Sequence, residues 1–257
     1  MVGMDLQPGS DGEGESLDVV ILSGQSNMAG RGGVHAVGQR REWDGFVPQE
    51  SWAPNGTIKR LNVDLEWEDA AEPLHRDIDT GKVCGIGPGL TFGAALINQQ
   101  RSRFLGLVPC AKGATSITEW TKGSFLYERM IKRAKEAIRK GGVLRALLWY
   151  QGETDTLSEH LARNYKRALE AFIGNVRSDL GWDQLPFIQV GITAHNHPHP
   201  RLLQLVRQAQ QQIHIANVFY VDAHGLALQE DGVHLTTASQ VELGKKLAQS
   251  FISNVPP

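Results

Sequence analysis

Five short runs along the chain are apolar at almost every position: "DVVILS" (18–23), "FLGLVP" (104–109), "LRALLWY" (144–150), "PFIQVGI" (186–192) and "NVFYVD" (217–222). Their β-branched and aromatic content suits strands covered on both faces. Between them the apolar positions change to helical spacing. Tyr127, Ile131, Ala134 and Ile138 form one stripe, closed by Gly141 and Gly142. Leu157, Leu161, Tyr165, Ala168, Phe172 and Val176 form a second, and Leu202, Val206, Ala209 and Ile213 a third. "TASQ" (237–240) reads as a capping box ahead of Leu243, Leu247 and Phe251. Strand and helix alternate, which predicts right-handed crossovers, a parallel five-stranded sheet and a three-layer α/β/α sandwich.

The stretch 31–87 breaks this rhythm. It is too long for an ordinary connection, so it reads as an inserted segment packed over one end of the sheet, with Trp43, Trp52 and Trp67 as its private core. Residues 1–16, acidic and rich in Gly and Ser, read as a disordered tail, leaving 17–257 as one domain. A net charge of -2 supplies no basic surface, and no apolar run reaches the roughly 18 residues of a membrane helix. Neither nucleic acid nor membrane is therefore an expected partner. The tail lacks the pattern of an export signal, and the two cysteines, Cys84 and Cys110, make no disulfide framework. Reduced thiols and a cytoplasmic setting are the expectation; no feature of the chain specifies an oligomeric state.

Ligands of open parallel α/β sheets bind at the carboxyl ends of the strands. Ser26 follows the first run, "CAKGATS" the second, "QGETD" the third, "AHNHPHP" the fourth, and "EDGVH" lies beyond the fifth. All five polar segments fall on one edge. Ser26 is the candidate nucleophile: Gly24 and Gly30 permit a tight strand exit, and the Gln25 and Asn27 amides can brace the loop. Asp231 and His234, three residues apart, can form the orienting acid and base that such a serine needs.

These segments, "GQSNMAGRGG", "GLVPCAKGATSITEW", "WYQGETD" and "DGVHLT", resemble the plant branch of the sixth carbohydrate esterase family, relatives of sialate O-acetylesterase-like proteins in the SGNH hydrolase superfamily. The resemblance runs in order along nearly the whole chain after the tail. It implies a flavodoxin-like serine esterase that removes acetyl groups from carbohydrate with no metal and no cofactor. Ser26 would be nucleophile, His234 base and Asp231 its orienter, with the Ser26 and Gly113 amides and one side-chain amide as oxyanion hole. One departure stands out: the superfamily's Gly-x-Asn-Asp block reads Gly152-Glu153-Thr154-Asp155 here, without the asparagine amide. Gln151 is the nearest replacement, with the Thr154 hydroxyl as the alternative.

The expected substrate is an acetyl or other acyl ester of a carbohydrate or glycosylated small molecule, cleaved through an acyl-serine. An acyltransferase using the same acyl-serine and an inactive carbohydrate-binding relative are the competing readings. Asn27, Glu153, His195 and His197 are expected to line the substrate site. His195, His197 and His199 stand about 6.5 Å apart in extended chain and are flanked by prolines, a geometry that disfavours a shared zinc ion; a specificity loop is expected there.

Overall fold

A computed structural model describes residues 16–194 and 197–256. The strands are β1 (Leu17–Gly24), β2 (Val34–Val37), β3 (Arg40–Trp43), β4 (Ile58–Leu61), β5 (Trp67–Asp69), β6 (Leu105–Pro109), β7 (Gly142–Tyr150), β8 (Phe187–Gly191) and β9 (Val218–Asp222). The helices are α1 (Ser26–Ala29), α2 (Gly89–Asn98), α3 (Phe125–Arg139), α4 (Glu159–Leu180), α5 (Pro200–Gln211) and α6 (Thr237–Asn254). The main sheet runs β5-β4-β6-β1-β7-β8-β9, and all neighbours are parallel except the edge pair β4 and β5. Among the described residues no helix is long and apolar enough to cross a membrane.

The five apolar runs are β1, β6, β7, β8 and β9, and the sandwich is the predicted one. β1 lies near the centre because Val19, Val20, Ile21 and Leu22 have no exposed surface and need cover on both faces. On one face α2 and α6 pack together, with Phe92 and Phe251 edge to face at 5.7 Å. On the other, Phe172 of α4 packs on Trp149 of β7 at 4.5 Å, and α3 and α5 contact α4 on either side. Fully burying one such side chain contributes about 1.5–3 kcal/mol.

The inserted segment extends the sheet as well as covering it. β4 joins β6 in parallel, β5 folds back on β4, and β2 and β3 form a separate antiparallel pair. Short strands with polar faces carry little periodic signal, which is why the pattern reading gave only five strands. Trp67 packs over Gly106, where an added Cβ would stand 2.7 Å from its ring. Trp52 departs from the private-core expectation and is 65% exposed. Two boundaries also shift: the α6 cap is Thr236, whose hydroxyl accepts from Ser239 N, and Leu157 lies before α4 in a 3-10 turn, 59% exposed.

The chain leaves β1 through Gly24 at φ +128°, a region that disfavours side chains. An added Cβ would sit 2.1 Å from the Tyr150 carbonyl oxygen of β7. Gly24→Ala should therefore destabilise the protein by roughly 3 kcal/mol or more. Gly174, mid-α4 with open space around it, is the counterpart: Gly174→Ala should stabilise by about 0.5–1 kcal/mol. Denaturant unfolding of both variants checks this, and a silent Gly24→Ala would contradict the packing described.

Candidate active site

Because Gly24 turns the chain sharply, Gln25 N–H donates to Tyr150 O at 2.8 Å and α1 starts at Ser26. Ser26 is 5% exposed and lines a cavity of about 350 Å³ at the carboxyl edge of the sheet. The His234 imidazole reaches it from the loop between β9 and α6. Asp231 Oδ2 accepts from His234 Nδ1 at 2.7 Å, which leaves Nε2 as acceptor for the Ser26 hydroxyl at 2.9 Å. Asp231 Oδ1 also accepts from the backbone N–H of Val233 (3.0 Å) and His234 (2.9 Å). Burial works to raise the Asp231 pKa, but these N–H groups and the imidazole outweigh it and hold it below the usual carboxylate value. An ionised Asp231 can fix the imidazole tautomer and steady its protonated form.

The His234 loop is tied down from below. Asn27 Nδ2 donates to Val233 O at 3.1 Å, Asn27 Oδ1 accepts from Leu235 N at 3.0 Å, and Gln229 Nε2 donates to Arg31 O at 2.6 Å. Asn27 Nδ2 also donates to Glu153 Oε1 at 2.8 Å. Fully buried and spent on these partners, Asn27 does not line the cavity. The expectation that it binds substrate is corrected: it joins three loops.

Gln151 is a second correction. Its Nε2 donates to Asp155 Oδ2 at 2.6 Å and Thr115 O at 2.8 Å, and its Oε1 accepts from the Tyr165 hydroxyl at 3.0 Å. With no exposure and no place on the cavity wall, it cannot reach a developing oxyanion. Gln25 does line the cavity. Its Oε1 accepts from Gln151 Nε2 at 3.3 Å and from the N–H groups of Gly152 and Thr154 at 3.4 Å, which orients the carboxamide and leaves Nε2 without an acceptor among the described residues. A side-chain amide is thus present at this edge, one residue before the serine.

Gly113 lies against Ser26: a Cβ on Gly113 would be 3.5 Å from Ser26 Cβ. Its N–H donates to Asp79 Oδ2 at a long 3.2 Å. Asp79, from the inserted segment, is fully buried, pairs with the Arg31 guanidinium, and has the Lys112 ammonium 3.1 Å from Oδ1. Burial pushes the Asp79 pKa up, and Arg31 and Lys112 more than offset it. Arg31 also lines the cavity. The Arg31–Asp79 pair was missed in the sequence because its partners are far apart along the chain, although Arg31 stands within the "SNMAGRGG" block.

His197 lines the cavity with both ring nitrogens engaged: Nδ1 accepts from His199 N at 3.0 Å, leaving Nε2 to meet Thr156 Oγ1 at 2.8 Å. Burial holds its pKa below the usual value. His195 lies outside the described residues. Among those described, no three His, Cys, Asp or Glu side chains are grouped to hold a metal, and both cysteines are buried free thiols.

The fold is α/β, with a mostly parallel sheet whose carboxyl edge carries the cavity. The chain belongs to the family described as "Carbohydrate esterase, sialic acid-specific acetylesterase", whose profile matches residues 16–253. It is 51% identical over 240 residues to the "Probable carbohydrate esterase At4g34215" of Arabidopsis thaliana, covering 92% of this chain and 90% of that one. A crystal structure of the Arabidopsis thaliana protein AT4G34215 superposes with a TM-score of 0.89 at 49% identity, covering 94% of this chain and all of that one. NanS shares the fold at 14% identity, with a TM-score of 0.75 and coverage of 93% and 97%.

Glu153 supplies a pH test of the site. It is 7% exposed, its Oε2 has no partner among the described residues, and burial pushes its pKa up to about 7, against the Asn27 hydrogen bond that lowers it. A carboxyl whose folded pKa exceeds its unfolded one contributes stability that is complete below about pH 4.5 and lost as pH rises through about 7. Asp155, raised to about 6 chiefly by burial, acts in the same direction. The melting temperature should fall between pH 5 and 8, and Glu153→Gln should make that fall shallower. An unchanged slope would show that Glu153 is ionised throughout.

Proposed function

We propose that this protein is a serine esterase that removes acetyl groups from carbohydrate esters through an acyl-serine intermediate. The observation that carries the reading is the continuous hydrogen-bonded chain from Ser26 Oγ through His234 to Asp231, with Ser26 and His234 on the cavity wall. Family membership and the relatives' names support the acetyl and carbohydrate parts.

His234 Nε2 takes the hydroxyl proton as Ser26 Oγ attacks the ester carbonyl carbon. The carbonyl π electrons move onto oxygen, and the Ser26 N–H, at the first turn of α1 where intrahelical acceptors are lacking, donates to it. The Gln25 carboxamide takes the side-chain position expected of Gln151. Gly113 N–H, held only loosely by Asp79, is the third donor. Collapse breaks the bond to the alcohol oxygen, which leaves with the proton from His234. Water, deprotonated by the same imidazole, then adds to the acyl-serine; the acyl carbon–Oγ bond breaks, Ser26 Oγ takes the proton back from His234, and the acid departs. Asp231 stays ionised throughout.

Ser26→Ala should lower kcat/KM on an aryl acetate by roughly 10⁴-fold or more with the fold retained. His234→Ala should cost nearly as much and Asp231→Ala less, since the imidazole remains without its orienting partner. Gln25→Ala should lower kcat by roughly 10²-fold with a smaller change in KM. Retained turnover in Ser26→Ala would refute the serine mechanism, and a silent Gln25→Ala would remove that residue from the oxyanion hole.

A further inference from the structure

Asp79 places a negative charge where the reaction would be slowed by one. Its Oδ2 accepts from Gly113 N–H at 3.2 Å, and a Cβ on Gly113 would lie 3.1 Å from that oxygen and 3.5 Å from Ser26 Cβ. The carboxylate therefore sits beside an amide that the mechanism above turns toward the oxyanion. Unmatched, its charge would both hold that N–H and repel the oxygen as negative charge develops there. Two cations meet it. The Arg31 guanidinium pairs with Oδ2, and the Lys112 ammonium stands 3.1 Å from Oδ1, which has no other partner among the described residues. The remaining titratable neighbours act differently. Burial lowers the His75 pKa to about 3 and pushes the Cys84 thiol up to about 11, so both are neutral near pH 7. Arg129 also acts on Asp79, but its guanidinium donates to Ile78 O at 3.3 Å and Cys110 O at 3.4 Å.

The two paired cations differ in what else they hold. Arg31 is buried, donates to Gly30 O at 2.7 Å and accepts at its own carbonyl from Gln229, so removing it would break the framework as well as the ion pair. The Lys112 side chain is 29% exposed. Its loop is fixed by other groups: Lys112 N donates to Gly24 O at 2.9 Å, Thr115 Oγ1 donates to Lys112 O at 2.8 Å, and Gln151 Nε2 donates to Thr115 O at 2.8 Å. The ammonium adds one tie of its own, to Thr80 O at 2.6 Å. Since the loop is anchored without the ammonium, charge is what the ammonium chiefly contributes.

Resting on the serine-esterase reading above, with Gly113 N–H as an oxyanion donor, we infer that Lys112 is a positioning residue for the reaction and acts through Asp79. Its ammonium draws the carboxylate's charge toward Oδ1 and away from Gly113, so the N–H can strengthen its bond to the carbonyl oxygen as that oxygen becomes negative. The gain belongs to the transition state and should appear in kcat, with KM little changed. Acylation and deacylation both pass through an oxyanion, so the effect holds whichever step limits turnover.

Three replacements in the purified full chain, each checked for unchanged melting, separate the charge from the tie to Thr80. Lys112→Met removes both, Lys112→Gln keeps an N–H donor without the charge, and Lys112→Arg keeps the charge. On an aryl acetate, Lys112→Met and Lys112→Gln should each lower kcat by roughly tenfold, less than the roughly 10²-fold or more that follows loss of a donor outright, and Lys112→Arg should recover most of that loss. Phosphonylation of Ser26 by a fluorophosphonate, whose phosphoryl oxygen occupies the same position, should slow in the same order. The inference is overturned if Lys112→Gln is as fast as the unaltered protein, if the loss falls on KM alone, or if Lys112→Arg is as slow as Lys112→Met. Ser26→Ala in the same assay keeps the two claims apart: turnover retained there refutes the serine mechanism, whereas turnover lost there with Lys112→Gln silent refutes this inference alone.

Discussion

A single buried carboxamide holds this site together. Asn27 bonds Glu153 from the loop after β7 and Val233 and Leu235 from the loop after β9, and its own carbonyl accepts from Gln240 Nε2 of α6 at 3.1 Å. The Ser26 turn, the His234 loop and the Glu153 loop are all bonded by this one side chain next to the serine. Each bond is worth about 1 kcal/mol net, but leaving any of these buried groups unpaired costs about 1–3 kcal/mol. The arrangement is therefore steep on every side. Gly24 sets it up by turning the chain where β1 touches β7, and Gln229 seconds it by fastening the same loop to Arg31.

Three carboxyl groups near the serine are kept in different states by their surroundings. Asp231 is buried in part, yet two backbone N–H groups and an imidazole keep it ionised. Asp79 is buried completely and is kept ionised by Arg31 and Lys112, so its charge is matched. Among the described residues Glu153 has no cation within hydrogen-bonding reach, and burial raises its pKa to about 7. A negative charge at Glu153 would oppose the one that develops on a carbonyl oxygen in the same cavity.

The five strands, and the meeting of Ser26, Asp231 and His234 at one edge, were legible because their signals are local: continuous apolar runs, glycines around a serine, and an acid three residues before a histidine. Gln151 reads as an oxyanion donor because it stands nearest in sequence to the missing asparagine. The tertiary network gives the opposite result, since Asp155, Thr115 and Tyr165 consume its carboxamide and Gln151 in turn orients Gln25. Leu157 fitted the helical stripe of α4 by spacing but precedes the helix, and the freedom of that turn puts it on the cavity wall. β4 and β5 were invisible because they are only four and three residues long and carry charged residues among the apolar ones, and the Arg31–Asp79 pair because it spans the inserted segment.

The account rests on a covalent bond between Ser26 and the acyl group, and that bond can be weighed directly. Mixing the protein with excess aryl acetate, quenching with acid within milliseconds to seconds, and mapping the peptides by mass spectrometry should find one acetyl group on the peptide containing Ser26, absent in the Ser26→Ala protein. Steady turnover with no acyl group on Ser26 at any quench time, or with the label on another residue, would contradict it.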